Sequence, residues 1–208
     1  MRDREIRIHE EYSPDFAALN ANSGFCPHIT EFLNNRQKEE QRIMAKSEEF
    51  LQQAFAGESQ ANRKYLAFAE KADKEGYAQV ARLFRAAAEA ETVHAHNHLK
   101  ALKGVGSTTE NLKAAIAGET FEFKQMYPEM IEAAKAEGNK TAERSFNYAN
   151  EVEKVHAELY GKLLDGLGSS QENYPYFVCP LCGYTAESSP PGVCPVCNAK
   201  GSTFKKID

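Results

Sequence analysis

An internal duplication constrains this chain more than any other sequence feature, and it lies in a stretch rich in Ala, Glu, Lys and Leu, residues 46–166. The segment AFAGES, which begins at Ala54, recurs as AIAGET from Ala115, an offset of 61 positions. Farther along, EKADKEG from Glu70 recurs as EAAKAEG from Glu132, and here the offset is 62. The duplication predicts two copies of one structural unit.

Within each copy, apolar residues recur every three or four positions, which is the spacing of amphipathic helices. Glycine permits the left-handed turn that ends many helices. Glycine-containing breaks divide the stretch into four predicted helices, near 46–75, 78–103, 108–136 and 139–166. A helical hairpin copied once and joined to itself predicts a four-helix bundle with approximate twofold symmetry.

Two local features refine the third predicted helix. Ser107 or Thr108 is expected to cap its start, because a hydroxyl side chain accepts a hydrogen bond from a free backbone N–H. Glu110 or Asn111 follows closely enough to take part in that cap. Pro128 falls inside the helix and lacks an N–H, so we expect it to kink the helix or to interrupt its hydrogen bonding.

Both copies carry the same set of candidate metal ligands: a glutamate after an Ala-Gly pair in the first helix, and Glu-x-x-His in the second. These residues are Glu58, Glu91 and His94 in the first copy, and Glu119, Glu153 and His156 in the second. The i, i+3 spacing puts the Glu and the His of each pair on one helix face. Carboxylates bridge and neutralise two cations, and imidazole suits iron or manganese. The pattern predicts a two-metal site of the ferritin-like kind.

Other polar residues lie near these ligands. Glu122 lies one turn beyond the second-copy glutamate, has no counterpart in the first copy, and is a candidate extra ligand. Tyr65 and Tyr127 are placed to face inward, either as core residues or as hydrogen-bond donors to a metal-bound carboxylate. His96 and His98 are expected to be non-ligands.

After Gly166 the helical pattern stops, and two Cys-x-x-Cys pairs follow a short polar linker. Each pair presents two thiolates at a tight turn, here called a cysteine knuckle, and two knuckles complete a site of four sulfurs. The ligands are Cys179, Cys182, Cys194 and Cys197. The ligand set alone favours zinc over a mononuclear iron. Gly183 and Asn198 follow the knuckles, where a positive φ is needed, and so small a module should require its metal to fold.

Composition excludes several classes of protein. Among 208 residues the formal net charge is −5, which argues against nucleic-acid binding by bulk positive charge. No apolar run approaches the ~20 residues of a membrane helix. The first residues are charged throughout, unlike a secretion signal. Cysteines paired for metal rather than for disulfides fit a reducing compartment, so we expect a cytoplasmic protein without membrane or nucleic-acid partners.

These patterns predict four segments: an extension at 1–43, the bundle at 44–166, a linker at 167–175 and the cysteine module at 176–208. The extension lacks clear periodicity, and we expect it to be disordered or a mis-assigned start. Translation from Met44 is our hypothesis, since Lys38-Glu39-Glu40 upstream can be encoded by a purine tract of the kind bacterial ribosomes bind. Cys26 and His28 are too isolated to indicate a metal site.

From Met44 to Asp208 the sequence resembles the rubrerythrin family, in which a ferritin-like di-iron bundle precedes a rubredoxin-like iron domain. The resemblance rests on FAGESQA from Phe55, ETVHA from Glu91, AGETFE from Ala117, MYP from Met126, EKVHAE from Glu153, and both knuckles with Gly183-Tyr184 and Phe204. It implies a mainly α fold class, a ferritin-like four-helix bundle followed by a small rubredoxin-like four-cysteine domain.

The resemblance also implies residue roles. Two irons would be bound by Glu58, Glu91, Glu119, Glu122, Glu153 and His156, with His94 exchanging with Glu122 as one iron changes oxidation state. Tyr65 and Tyr127 match tyrosines that support the ligands. The four cysteines would bind one iron that transfers electrons, which reverses the preference for zinc.

The implied activity is peroxidase: the diferrous site reduces hydrogen peroxide to two waters, and electrons come from NAD(P)H through a separate reductase or a rubredoxin. The resemblance also implies a homodimer in which the rubredoxin-like domain of one chain serves the bundle of the other. The alternatives are a ferritin-like ferroxidase that stores iron, and a non-catalytic zinc-ribbon interaction protein. Manganese or mixed iron–zinc occupancy of the bundle also stays open.

Overall fold

The computed structural model describes residues 27–169 and 173–208, with side chains from residue 46 onward. Within those ranges, no helix is both long and apolar enough to cross a membrane. The helices are α1 (Pro27–Lys74), α2 (Ala78–Ala101), α3 (Thr108–Phe121), α4 (Tyr127–Ala136) and α5 (Lys140–Asp165). The strands are β1 (Tyr176–Val178), β2 (Thr185–Glu187) and β3 (Lys205–Ile207).

Helix α1 begins at Pro27, well before the predicted start near residue 46. Between His28 and Ala56 the sequence has no Gly or Pro and is rich in Glu, Gln, Lys and Arg, which favour helix. Extending an existing helix avoids the cost of nucleation, so periodicity is not needed to continue it. The expected extension at 1–43 is thus helical from Pro27, whereas Cys26 lies outside the described residues. The start at Met44 stays a prediction.

The first hairpin pairs α1 with α2 through small residues and a buried amide. Ala69, Ala72 and Ala81 form an apolar cluster against Phe84. Asn62 is buried, and its Nδ2 donates to the Ala88 carbonyl oxygen at 2.6 Å and to the Thr92 hydroxyl at 2.8 Å. Alanine contributes no side chain beyond Cβ, so the two helices approach closely and leave room for polar groups between them.

The second hairpin packs α3 and α4 against α5. The predicted cap at its start is confirmed, because Ser107 and Glu110 form a reciprocal capping box. A π-helical turn at Glu122–Met126 separates α3 from α4. In this turn the Tyr127 N–H donates to the carbonyl oxygen of Glu122, five residues back. Pro128 lies in the first turn of α4, where its missing N–H is tolerated. The π turn directly before α4 interrupts the regular hydrogen bonding of the helix, so the predicted interruption is confirmed.

The two hairpins repeat each other's geometry around this inserted turn. Gly76 and Gly138 end α1 and α4 with φ of 84° and 68°. The ring centroids of Tyr65 and Phe84 lie 6.2 Å apart, and those of Tyr127 and Phe146 lie 6.3 Å apart. Both pairs are related by the offset of 62. The π turn therefore absorbs the extra residue of the second copy and restores the phase of the helix.

The cysteine module is a three-stranded antiparallel sheet in the order β2-β1-β3. The two knuckles form equivalent turns, in which Gly183 N–H donates to the Cys179 carbonyl and Asn198 N–H to the Cys194 carbonyl. Gly183 and Asn198 have φ of 88° and 62°, as predicted. The module's best-buried side chains are Cys179 and Cys194, so its core is the metal site.

Gly201 provides a test of how tightly this module is built. A Cβ at Gly201 would clash with the Pro191 carbonyl, whereas a Cβ at Gly192 would meet nothing within 4 Å. We expect Gly201→Ala to destabilise the module by about 1–3 kcal/mol or more, because a backbone atom has to move. Thermal loss of the thiolate-to-metal absorption band measures this, with Gly192→Ala as the matched control. Equal melting of the two variants would contradict the expectation.

Candidate metal centres

The first half-site joins α1 and α2. Glu58, Glu91 and His94 each offer one ligand atom, and these atoms all lie within 4.8 Å of one another. His94 Nδ1 is 2.9 Å from Glu91 Oε2. Hydrogen bonding with Glu91, together with burial, raises the pKa of Glu58, while the hydrogen bond from His94 lowers the pKa of Glu91. The two carboxyl groups are therefore close neighbours whose pKa values shift in opposite directions.

The second half-site joins α3 and α5 and is better enclosed. Glu119, Glu153 and His156 again bring ligand atoms within 4.8 Å of one another. His156 Nδ1 lies 2.7 Å from Glu153 Oε2 and 3.9 Å from Glu119 Oε1. Burial, reinforced by the charge of Glu153, raises the pKa of Glu119 to about 7, and the hydrogen bond to Glu153 raises the pKa of His156.

Glu122 opens the π turn, one helical turn beyond Glu119. Burial and the charge of Glu153 raise its pKa, so its carboxyl group belongs to the electrostatic environment of the second half-site. Tyr127 ends the same turn, and burial followed by the charges of Glu122 and Glu153 raises its pKa. The π turn itself was missed from the sequence, although the change of offset from 61 to 62 located the extra residue that forms it.

The remaining candidates lie outside these two clusters. Tyr65 belongs to an aromatic cluster with Phe68 and Phe84, at centroid distances of 6.3 and 6.2 Å. Among the described residues, His96 and His98 join neither group of ligand atoms. The charge of His98 does lower the pKa of Glu58, as a minor influence.

The four predicted cysteines form one cluster with no disulfide. Sγ atoms of Cys179 and Cys197 lie 3.5 Å apart, and those of Cys182 and Cys194 lie 3.6 Å apart. A tetrahedral site with metal–sulfur bonds of about 2.3 Å has sulfur–sulfur separations of about 3.8 Å. The cluster therefore fits a single four-coordinate metal with little rearrangement.

The thiols respond unequally to this crowding. Burial raises the pKa of Cys182 and of Cys197. Burial also opposes ionisation of Cys179, but backbone N–H groups of Leu181 and Cys182 help to lower its pKa to about 7. A bound cation would stabilise all four thiolates at once.

The carboxylate–imidazole half-sites also fit the metals expected of them. Ligand atoms on one metal at bond lengths of about 2.1 Å lie roughly 3–4 Å apart, as the His156 and Glu119 atoms do at 3.9 Å. The raised pKa values of Glu58 and Glu119 indicate carboxyl groups that lack enough positive charge. Oxygen and imidazole donors suit iron or manganese, whereas the thiolates suit iron or zinc.

Sequence reasoning missed one contact to these ligands. His156 Nε2 lies 3.0 Å from the hydroxyl oxygen of Thr185 in β2, 29 residues away. Thr185 belongs to no motif, and no periodicity relates it to α5. Only the three-dimensional placement of the module brings the two residues together.

Two helical hairpins with Glu and Glu-x-x-His groups, joined to a four-thiolate module, define a class of non-haem metalloprotein that has a two-metal site and a separate four-cysteine metal site. Comparison with known proteins agrees with this class. The family model described as Rubrerythrin matches residues 49–164, and that described as Rubrerythrin, rubredoxin-like domain matches residues 177–205.

Individual relatives agree with the family models. Rubrerythrin-2 of Clostridium acetobutylicum is 40% identical over 160 residues, which cover 68% of this chain and 85% of that protein. Rubrerythrin of Porphyromonas gingivalis is 39% identical over 161 residues, covering 69% and 80%. The solved structure of fully reduced, all-ferrous nigerythrin aligns at 33% identity with a TM-score of 0.49, covering 77% of this chain and 86% of that one.

The chain belongs to the rubrerythrin family. The expected fold class, a ferritin-like four-helix bundle followed by a rubredoxin-like domain, is confirmed by both family matches. The expected cofactors are confirmed as well: two irons in the bundle and one iron in the four-cysteine site. The protein is an iron-dependent oxidoreductase of oxidative-stress defence.

The acidic second half-site predicts a pH dependence for protein whose bundle is free of iron and whose cysteine site holds zinc. Folded Glu119 keeps its proton to about pH 7, whereas the unfolded chain releases it near pH 4.5. His156 also keeps its proton above its ordinary pKa of 6.5. The folded state thus binds more protons than the unfolded state, and stability falls as pH rises from 5 to 8. Glu119→Gln should flatten this fall.

Melting temperatures measured between pH 5 and pH 8 test this expectation. The variant should gain a few degrees over the unmodified protein at pH 8 and gain nothing at pH 5. Glu151→Gln, an exposed residue on α5 paired with Lys154 at 3.6 Å, is the control. Parallel pH curves for Glu119→Gln and the unmodified protein would show that Glu119 does not carry the proton.

Proposed function

We propose that this chain is a peroxidase that reduces hydrogen peroxide to two waters at a di-iron site, with electrons supplied through its four-cysteine iron. One observation carries the proposal: the same chain holds two carboxylate–imidazole half-sites and a four-thiolate cluster. A storage protein has little need of a fused one-electron donor, so the cysteine module argues against the ferroxidase alternative.

In this proposal seven side chains bind the iron pair. They are Glu58, Glu91, His94, Glu119, Glu122, Glu153 and His156. His94 and Glu122 are proposed to exchange as ligands when one iron changes oxidation state. Two features support that pair: the His94 side chain is 54% exposed, and Glu122 begins a π turn whose hydrogen bonding differs from that of the flanking helices. Both residues therefore have fewer local constraints than the other ligands.

The overall reaction consumes two electrons and two protons for each peroxide and releases two waters. When bound, an iron pair would supply both electrons together, which would avoid one-electron cleavage of the O–O bond. Burial and the charges of Glu122, Glu153 and Glu119 raise the pKa of Tyr127. We propose that Tyr127 and Tyr65 stabilise the ligands by hydrogen bonding.

The four cysteines would hold one iron, and a single iron would supply electrons one at a time, so two transfers would be needed for each peroxide. We propose that an NAD(P)H-dependent reductase or a rubredoxin reduces the iron held by Cys179, Cys182, Cys194 and Cys197. We also propose that the protein is a cytoplasmic homodimer. The domain limits 44–166, 167–175 and 176–208 remain part of this proposal. They agree with family matches to 49–164 and 177–205.

Stopped-flow oxidation of the fully reduced protein tests the activity. Peroxide should oxidise the iron pair faster than dioxygen does, and the protein should contain about three irons per chain. Glu153→Ala should lower iron affinity in the bundle by at least about 10- to 100-fold, because it removes a ligand that also orients His156. The red iron–thiolate absorption should persist in this variant.

Glu151→Ala is the matched control, since Glu151 lies on the same helix, is exposed and makes only a 3.6 Å ion pair with Lys154. It should keep both iron pair and peroxide reactivity. Oxidation by dioxygen as fast as by peroxide would reject the peroxidase, and zinc in the cysteine site of protein isolated under iron-replete conditions would reject the electron route.

A further inference from the structure

His94 and His98 lie one helical turn apart on α2, next to the first half-site. Both belong to the continuous helix Ala78–Ala101, so their side chains leave the same face, with Cβ atoms about 5–6 Å apart. Two histidines four residues apart on one helix face are a chelating pair, as in helices that bind zinc through His-x-x-x-His. The first hairpin therefore carries imidazole donors beyond those of its carboxylate cluster.

The contact between His94 and Glu91 decides which ring nitrogen is available. His94 Nδ1 lies 2.9 Å from Glu91 Oε2, and among the described residues it is the only atom of this ring with a hydrogen-bond partner. We assign the ring hydrogen to Nδ1 from this contact, which leaves the lone pair of the neutral ring on Nε2. A carboxylate that accepts from one nitrogen commonly orients a histidine that binds metal through the other.

Both rings lie at an accessible edge of the first half-site. The His94 side chain is 54% exposed, whereas that of Glu91 is 17% exposed. His98 is partly buried, and its charge, like that of His94, lowers the pKa of Glu58. The two imidazoles are therefore near one carboxyl group, and solvent can reach a cation that they hold.

Of the two copies, only the first has this pair. Tyr160 stands where the offset of 62 places the counterpart of His98. The His156 side chain is only 28% exposed, and its Nε2 lies 3.0 Å from the Thr185 hydroxyl. The second nitrogen of His156 thus already has a partner, while that of His94 is left to bind a ligand from solvent.

We propose that His94 Nε2 and His98 form a separate site for a divalent late transition-metal cation such as Zn²⁺, with water in the remaining positions. Two neutral imidazoles suit zinc, nickel or copper better than magnesium or calcium. Because a neutral imidazole has one lone pair, a cation on Nε2 excludes binding of another through Nδ1 of the same ring. The inference goes beyond the proposed peroxidase and does not depend on it.

A zinc titration of iron-free protein tests the site, with the four cysteines already holding zinc. Glu58→Gln and Glu153→Gln are combined to weaken both half-sites, so that the bundle does not compete for the cation. Each change removes one of several clustered carboxylates, so the fold should be retained. Ring nitrogens labelled with ¹⁵N report which atom binds. At pH 8, zinc should shift the Nε2 signal of His94 and a ring signal of His98 with one common midpoint.

His98→Gln in the same background measures the contribution of the pair. We expect the midpoint for His94 to rise by roughly 100-fold or more, because two linked donors bind far more tightly than one. His96→Gln is the matched control, since His96 is exposed on the same helix but faces another direction, and it should leave the midpoint unchanged. An unchanged midpoint in His98→Gln would overturn the proposal.

Glu91→Gln tests whether the carboxylate selects the binding nitrogen. The amide keeps the shape of the side chain and is a weaker acceptor for Nδ1–H, so zinc affinity should fall by about 10-fold. Glu89→Gln changes an exposed residue of the same helix and should have no effect. Equal affinity in these two variants would show that Glu91 does not orient the ring.

The labelled rings also give an answer that does not rely on any substitution of the histidines. Zinc that shifts Nδ1 of His94 instead of Nε2, or that shifts only one of the two rings, would overturn the proposed site. Since the titration contains neither iron nor peroxide, its outcome and that of the peroxidase test are independent of each other.

Discussion

Most of this structure depends on the cost of bringing carboxyl groups together between helices. Hydrogen bonding with Glu91 raises the pKa of Glu58, and burial beside Glu153 raises the pKa of Glu119 to about 7. Such groups stay ionised only when positive charge lies close by. In the first hairpin, the alanine-rich contact lets α1 and α2 approach closely enough for opposing side chains to meet at one cation. Bound iron would supply that positive charge in both half-sites.

The duplication predicted the helical hairpins and which glutamates and histidines come together between their helices, because copying preserves both the helical period and the chemistry. It did not predict the π turn, since periodicity describes a uniform helix and a single extra residue breaks that uniformity. The structure shows how the insertion is tolerated: Tyr127 meets Phe146 at 6.3 Å, as Tyr65 meets Phe84 at 6.2 Å. The π turn accommodates the one extra residue, so the helix after it has the same phase as in the first copy. Pro128 follows in the first turn of α4, where the loss of its N–H destabilises the helix least.

Long-range placement was less accessible from the sequence. The knuckles were predictable because each is a local turn with its own glycine or asparagine, Gly183 and Asn198. Docking of the module on α5 was not, since Thr185 and Glu187 are ordinary polar residues of a strand, and their partners lie 29 and 25 residues away. The early start of α1 was missed for a different reason: intrinsic helix preference extends a helix without an apolar pattern.

The two half-sites are copies in sequence but not in environment. His94 is 54% exposed, whereas His156 is 28% exposed and bonded through Nε2 to Thr185. A histidine whose second nitrogen is hydrogen-bonded has a fixed ring orientation and a more basic ligating nitrogen. Both additions to the duplicated plan, the extra residue at the π turn and the appended cysteine module, act on the second copy. The two copies therefore carry equivalent residues, but the second half-site is better enclosed and has the additional hydrogen bond to Thr185.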